Sequence, residues 1–133
     1  MLIIGFDPGK DKCGVAVMDE KKIIYTHAVI PSPEALNGIT ALLQKYPSQT
    51  LVMGNQTTSK SWKKQLQENL PPEIEIILVD ERNSSQEARD RYWEMYPPKG
   101  VKKLIPRGML VPDCPIDDIV AILLIERYLQ QVS

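Results

Sequence analysis

The stretch IIGFDPGKDKCGVAVMD, residues 3–19, contains two short apolar runs separated by a charged turn. Leu2–Phe6 is continuously apolar, the pattern of a strand buried on both faces. It stops at Asp7, and Pro8-Gly9 follows. Lys10, Asp11 and Lys12 form the turn, and Gly14–Met18 reads as a second strand. After the polar tip Asp19-Glu20-Lys21-Lys22, Ile23–Ile30 reads as a third. Connections this short make the three strands antiparallel neighbours. A carboxylate placed where a buried strand ends raises the question of which companions the rest of the chain supplies.

The hydrophobic period then changes. Ser32-Pro33 reads as an N-cap followed by proline at the first helical position, with Leu36, Ile39, Leu43 and Tyr46 at helical spacing and Pro47 closing the helix. Leu51–Met53 is a short strand ending at Gly54-Asn55, and a second helix covers residues 59–70 before Pro71-Pro72. Ile74–Val79 is a fifth strand, ending at Asp80-Glu81. Ser84 to Glu87 has the S-x-x-E spacing of a capping box for a third helix. Residues 96–115 hold Pro97, Pro98, Pro106, Pro112 and Pro115 with Gly100 and Gly108, a long loop of the kind usually kept for function. A last helix follows over residues 115–130. Three antiparallel strands followed by βαβ units predict an α/β fold with one five-stranded mixed sheet, the last two strands parallel, and helices on both faces.

The totals narrow the function classes. A chain of 133 residues predicts a single domain over 1–133, able to bury roughly two-thirds of its unfolded surface. The net charge of -1 does not mark a strongly basic nucleic-acid binder, so such a role must rest on local charge. His27 is the only histidine, and Cys13 and Cys114 lie far apart, which leaves little to build a zinc site or a histidine triad. Two separated thiols, and an N-terminal run too short and without the basic flank of a signal peptide, fit a cytoplasmic protein. The longest apolar run, Ile119–Ile125, is far below the ~20 residues that span a bilayer, so no membrane role is expected.

Three acidic groups fall at element ends: Asp7 after the first strand, Glu81 after the fifth, and Asp117-Asp118 at the start of the last helix. Each alone has a structural explanation. Asp7 can cap the Pro-Gly turn, Glu81 can pair with Arg82, and the two aspartates can complement the helix dipole. Together they read differently, because α/β sheets gather ligands where strands end. The last helix is apolar nearly all round, and an aspartate beside that core is costly unless something cationic neutralises it. Three carboxylates in one cleft without a histidine suit hard divalent cations, Mg²⁺ or Mn²⁺, which can activate water and stabilise the leaving oxygen of a phosphodiester.

These segments resemble the RNase H-like superfamily, and within it the YqgF and RuvC-type Holliday-junction resolvase group. GFDPGKDKCGVAV (residues 5–17) is similar to the group's first strand, DERNSS (80–85) to the DER segment of the YqgF branch, and IDDIVAILLIERYL (116–129) to its final helix. The resemblance covers nearly the whole chain. It implies an RNase H-like fold and a nuclease in which Asp7, Glu81 and Asp117 are the catalytic metal ligands, with Asp118 and Asn55 as candidate further contacts. It also implies nucleic-acid substrates, either pre-16S ribosomal RNA or branched DNA, and a homodimer as a candidate assembly. The chain departs from the group in two places. Gly54-Asn55-Gln56 stands where resolvases carry a glutamate after the fourth strand, and Cys114 stands where they carry an aspartate three residues before the helix ligand.

Two basic clusters offer a route for the substrate backbone: Lys99, Lys102, Lys103 and Arg107 in the long loop, and Lys60, Lys63 and Lys64 at the start of the second helix. Trp62 and Trp93 are candidates for base stacking or for core packing. Two other readings stand beside the nuclease. One is a catalytically weak or inactive nucleic-acid-binding protein on the same fold, favoured by the missing glutamate. The other is an ATPase domain of the actin and sugar-kinase type, which needs two related halves where this chain has room for one.

Overall fold

The structure is a computed structural model that describes residues 1–56, 58–100, 104–105 and 115–132. Its strands are β1 (Leu2–Asp7), β2 (Lys12–Asp19), β3 (Ile24–Pro31), β4 (Thr50–Gly54) and β5 (Glu75–Val79), and its helices are α1 (Ala35–Lys45), α2 (Ser59–Asn69), α3 (Ser84–Met95) and α4 (Asp117–Val132). The strands form one sheet in the order β3-β2-β1-β4-β5. β1 pairs antiparallel with β2, β2 antiparallel with β3, and β1, β4 and β5 run parallel. This is the mixed sheet expected from the strand spacing. Because β1, β4 and β5 are parallel neighbours, Asp7 and the residues that follow Gly54 and Val79 leave the sheet at the same edge.

The period-two alternation of β1 divides the core. Ile4 and Phe6 join Val15, Val17, Leu51 and Met53 under α1 and α2, with Ile39 and Leu66 among the covering side chains. Ile3 joins Ala16, Met18 and Val52 under α3 and α4, with Ala88, Trp93 and the buried run Ile119–Ile125 above them. Helices therefore cover both faces, as the pattern requires for strands that are apolar throughout.

Two helix starts differ from expectation. Ser32 does not cap α1: Ser32–Glu34 form a 3₁₀ turn ahead of it, and the Ser32 hydroxyl donates 2.8 Å to the Gly9 carbonyl in the β1–β2 turn. A tertiary partner has claimed the capping atom. The capping box of α3 is not made either. Asn83 is its N-cap, in a left-handed conformation (φ 61°) without a side-chain cap bond, while the Glu87 carboxylate pairs with Arg127 of α4 at 3.1 Å. Most of the long loop lies outside the described residues.

α4 lies unusually close to the sheet. A Cβ at Gly5 would collide with the Ala121 carbonyl, and one at Gly14 with the Asp117 carbonyl and the Asp118 amide. These two glycines are flat spots on adjacent strands, and the helix backbone rests on them. Replacing Gly14 by Ala should lift the first turn of α4 and destabilise the protein by roughly 1–3 kcal/mol in urea denaturation. An unchanged midpoint and slope would mean the helix shifts without cost.

Candidate active site

Asp7 is the last residue of β1, and it pairs across the sheet with Gly14 of β2. Because the first turn of α4 rests on Gly14, the same contact brings Asp117 beside Asp7. Glu81 follows β5 in a tight turn. The Asp80 carboxylate accepts from the Arg82 amide at 2.9 Å, the Ser84 amide donates to the Glu81 carbonyl at 3.0 Å, and Asn83 takes the left-handed conformation that turns the chain into α3. The Glu81 side chain then lies back over Gly54, filling the space a Cβ would need there. Arg127 of α4 donates to the Asp80 carbonyl at 2.8 Å, tying the helix that carries Asp117 to the loop that carries Glu81.

A residue not foreseen from sequence joins this group. The Gln56 amide, just beyond β4, donates from Nε2 to Asp7 Oδ1 at 3.3 Å and to Glu81 Oε2 at 2.9 Å. The expected candidate from the same turn, Asn55, has an exposed side chain, and its backbone N–H donates to the Val79 carbonyl at 3.1 Å. The one sequence signal of Gln56 is its place in Gly54-Asn55-Gln56, the segment that stands where resolvases carry a glutamate. Only the positions of the neighbouring strands aim it at the carboxylates.

The electrostatics are those of concentrated, poorly compensated negative charge. Asp7 is 7% exposed, and its pKa is raised to about 7, mainly by burial and further by the charges of Asp117 and Glu81. Among the described residues no cation forms an ion pair with it. Glu81 is also raised, chiefly by burial, with Arg127 opposing the shift and Asp80 adding to it. Asp117 is raised by burial and by its neighbour Asp118, against a lowering contribution from Lys12. Among the described residues, no three His, Cys, Asp or Glu side chains stand close enough together to hold an ion as they are. Asp7 and Glu81 are instead bridged by a neutral amide. The donor set nevertheless fits a hard divalent cation: three carboxylates and an amide provide only oxygen ligands, around a buried charge that lacks a positive partner.

Asp118 faces a different partner. Its Oδ2 lies 2.6 Å from Nδ1 of His27 on β3, and its Oδ1 accepts from the Ile119 amide at 3.0 Å. The only histidine of the chain thus pins the first turn of α4 to the edge strand. Of the basic candidates, Lys60, Lys64 and Lys99 are exposed and Lys63 is half-buried. Lys102, Lys103 and Arg107 lie outside the described residues, as does Cys114. Trp62 packs edge-on against Phe6, ring centroids 5.2 Å apart, and Trp93 is buried in the core under α3 and α4, so both are packing residues. No helix among the described residues is long and apolar enough to cross a membrane.

A family model described as "RuvX: Holliday junction resolvase" matches residues 1–131. No curated protein matches the chain. Among solved structures, Thermus thermophilus RuvC in complex with Holliday junction substrate aligns with a TM-score of 0.60 at 12% identity, over 93% of this chain and 90% of that one. A second Thermus thermophilus RuvC structure gives 0.55 at 14% identity, over 99% and 97%. A putative sugar kinase from Cytophaga hutchinsonii gives 0.50 at 11% identity, over 67% of this chain but only 39% of that one. At these identities the likeness is one of fold, and the fold is RNase H-like.

The raised pKa of Asp7 makes a prediction about stability. In the unfolded chain this carboxyl ionises near 3.8, and in the folded one near 7. Ionising it in the fold is therefore a cost that is absent below about pH 4, grows as pH rises toward 7, and then levels off. Without added metal, Asp7→Asn should melt several degrees above the wild type at pH 8, with the gap closing as pH falls to 4. Melting curves that stay parallel across this range would mean the carboxyl is not strained.

Proposed function

Since the chain belongs to the RuvX Holliday junction resolvase family, we propose that it is a metal-dependent nuclease hydrolysing phosphodiester bonds of structured nucleic acid, with four-way DNA junctions as the first substrate class and pre-ribosomal RNA as the second. The observation that carries the reading is Asp7: a buried carboxylate without a counter-ion among the described residues, flanked by Glu81 and Asp117 at the edge where β1, β4 and β5 end. A resolvase bound to its junction is among the chains that share this fold, which supports the choice of substrate.

Asp7, Glu81 and Asp117 would hold the cation, Mg²⁺ or Mn²⁺. When bound, such an ion supplies Lewis-acid activation of water and stabilises charge on the leaving oxygen. The chain's own contribution is positional. Gly14 and Gly5 let α4 approach, Arg127 joins α4 to the Glu81 loop, and the His27–Asp118 pair holds the helix start against β3. No histidine is free to act as a general base, since His27 is engaged by Asp118. Lys60, Lys63 and Lys64 on α2, with Lys99, Lys102, Lys103 and Arg107 in the loop before α4, would bind phosphates.

The second reading, a nucleic-acid-binding protein of the same family with little or no cleavage, is favoured by one observation: the side chain that reaches the carboxylates from the β4 end is a neutral amide rather than an acid. Incubation with four-way DNA junctions and with structured RNA, comparing Mg²⁺, Mn²⁺ and EDTA, separates the two. The nuclease reading expects cleavage that needs the cation and falls on the order of a hundredfold or more in Asp7→Asn. Binding without cleavage in every metal would favour the second. Replacing Lys60 and Lys64 together by Ala should reduce the salt slope of junction binding by roughly two. An unchanged slope would direct the substrate to the other basic cluster.

A further inference from the structure

We infer that Gln56 is a further member of the cation site, holding Asp7 and Glu81 together through its amide nitrogen when no ion is bound and turning its amide oxygen to the ion on loading. The inference rests on the metal reading above and adds a fourth oxygen donor to it.

The turn after β4 leaves little choice of side chain. Position 54 carries none, and the Glu81 carboxylate lies in the space its Cβ would take. Asn55 points its side chain to solvent. Gln56 is the first residue of the turn to reach the carboxylates, and its backbone is anchored on both sides. The Asn55 amide donates to the Val79 carbonyl of β5, and the Gln56 carbonyl accepts from the Ser59 amide at the start of α2 at 2.9 Å. The side chain therefore extends from a fixed base into the space between Asp7 and Glu81.

A side-chain amide carries a donor NH₂ and an acceptor oxygen on opposite sides of a single rotor. Two carboxylates facing each other need a donor between them, and the two N–H bonds of Nε2 supply one to each. A cation between the same carboxylates reverses the requirement. The NH₂ would then face positive charge, and half a turn about the Cγ–Cδ bond replaces it with Oε1, a hard oxygen of the kind these cations take. The amide thus occupies the space between the carboxylates until the ion arrives, and it adds no charge to three carboxylates that are already strained by burial and by one another.

Mn²⁺ binding to the full chain, measured by titration calorimetry without nucleic acid, tests this. Gln56→Leu should weaken Mn²⁺ binding roughly tenfold or more. Gln56→Met, which keeps the side chain's length but lacks both polar atoms, should do the same and serves if the leucine variant does not fold. Gln56→Glu should bind more tightly than the wild type, because charged ligands raise affinity for hard cations. Mn²⁺ binding at wild-type strength or tighter in the apolar variants, while Asp7→Asn abolishes it, would overturn the role of Gln56 and leave the metal site standing. Wild-type binding in Asp7→Asn would overturn the metal site itself, and this inference with it.

Discussion

The contact of one helix backbone with two glycines governs the geometry of the candidate site. Asp117 is the first residue of α4, and α4 reaches the level of Asp7 only because Gly5 and Gly14 offer no Cβ to hold it off. A helix on a sheet is ordinarily held off by the side chains of both surfaces. Here the carbonyls of Ala121 and Asp117 sit where side chains would be. The apolar run Ile119–Ile125 then seals the contact, and burial of that run supplies the free energy that holds a doubly acidic helix start beside another carboxylate.

That arrangement sets stability against chemistry. Burying Asp7 next to Glu81 and Asp117 raises its pKa and destabilises the ionised fold near neutral pH. Proteins tolerate such charge concentration mainly where a ligand neutralises it. The surrounding structure divides the acidic groups by role. Asp118 is given to His27 and Glu126 to Arg91, whereas among the described residues a neutral amide lies between Asp7 and Glu81. Adjacent aspartates in one sequence motif therefore have separate fates, one aimed at the cluster and one at a strand.

The same sheet carries different chemistry in different proteins. Its strand order aligns with resolvases of bacterial origin over nearly their full length, and with part of a putative sugar kinase. Fold alone does not separate these. In this chain one edge of the sheet gathers carboxylates from β1, the β5 loop and α4.

Much of this was legible in the chain itself. Short continuous apolar runs, followed by helical spacing, determined five strands and their parallel or antiparallel sense, because run length, side-chain period and connection length are local properties. The placing of Asp7, Glu81 and Asp117 at element ends was equally local. The tertiary structure alone decided the rest. Ser32 and Ser84 carry capping signals, yet Ser32 bonds to Gly9 and α3 is capped by Asn83, because a distant partner or a left-handed turn outweighs a cap worth about 1 kcal/mol. The pairing of His27 with Asp118 joins residues 91 apart, and the reach of Gln56 to Asp7 and Glu81 depends on three strands ending side by side. The segment Gly54-Asn55-Gln56 marked the place, but not which of its side chains reaches the carboxylates. The partners of Gln56 are chosen by which backbones the sheet makes neighbours, a property that no stretch of sequence carries alone.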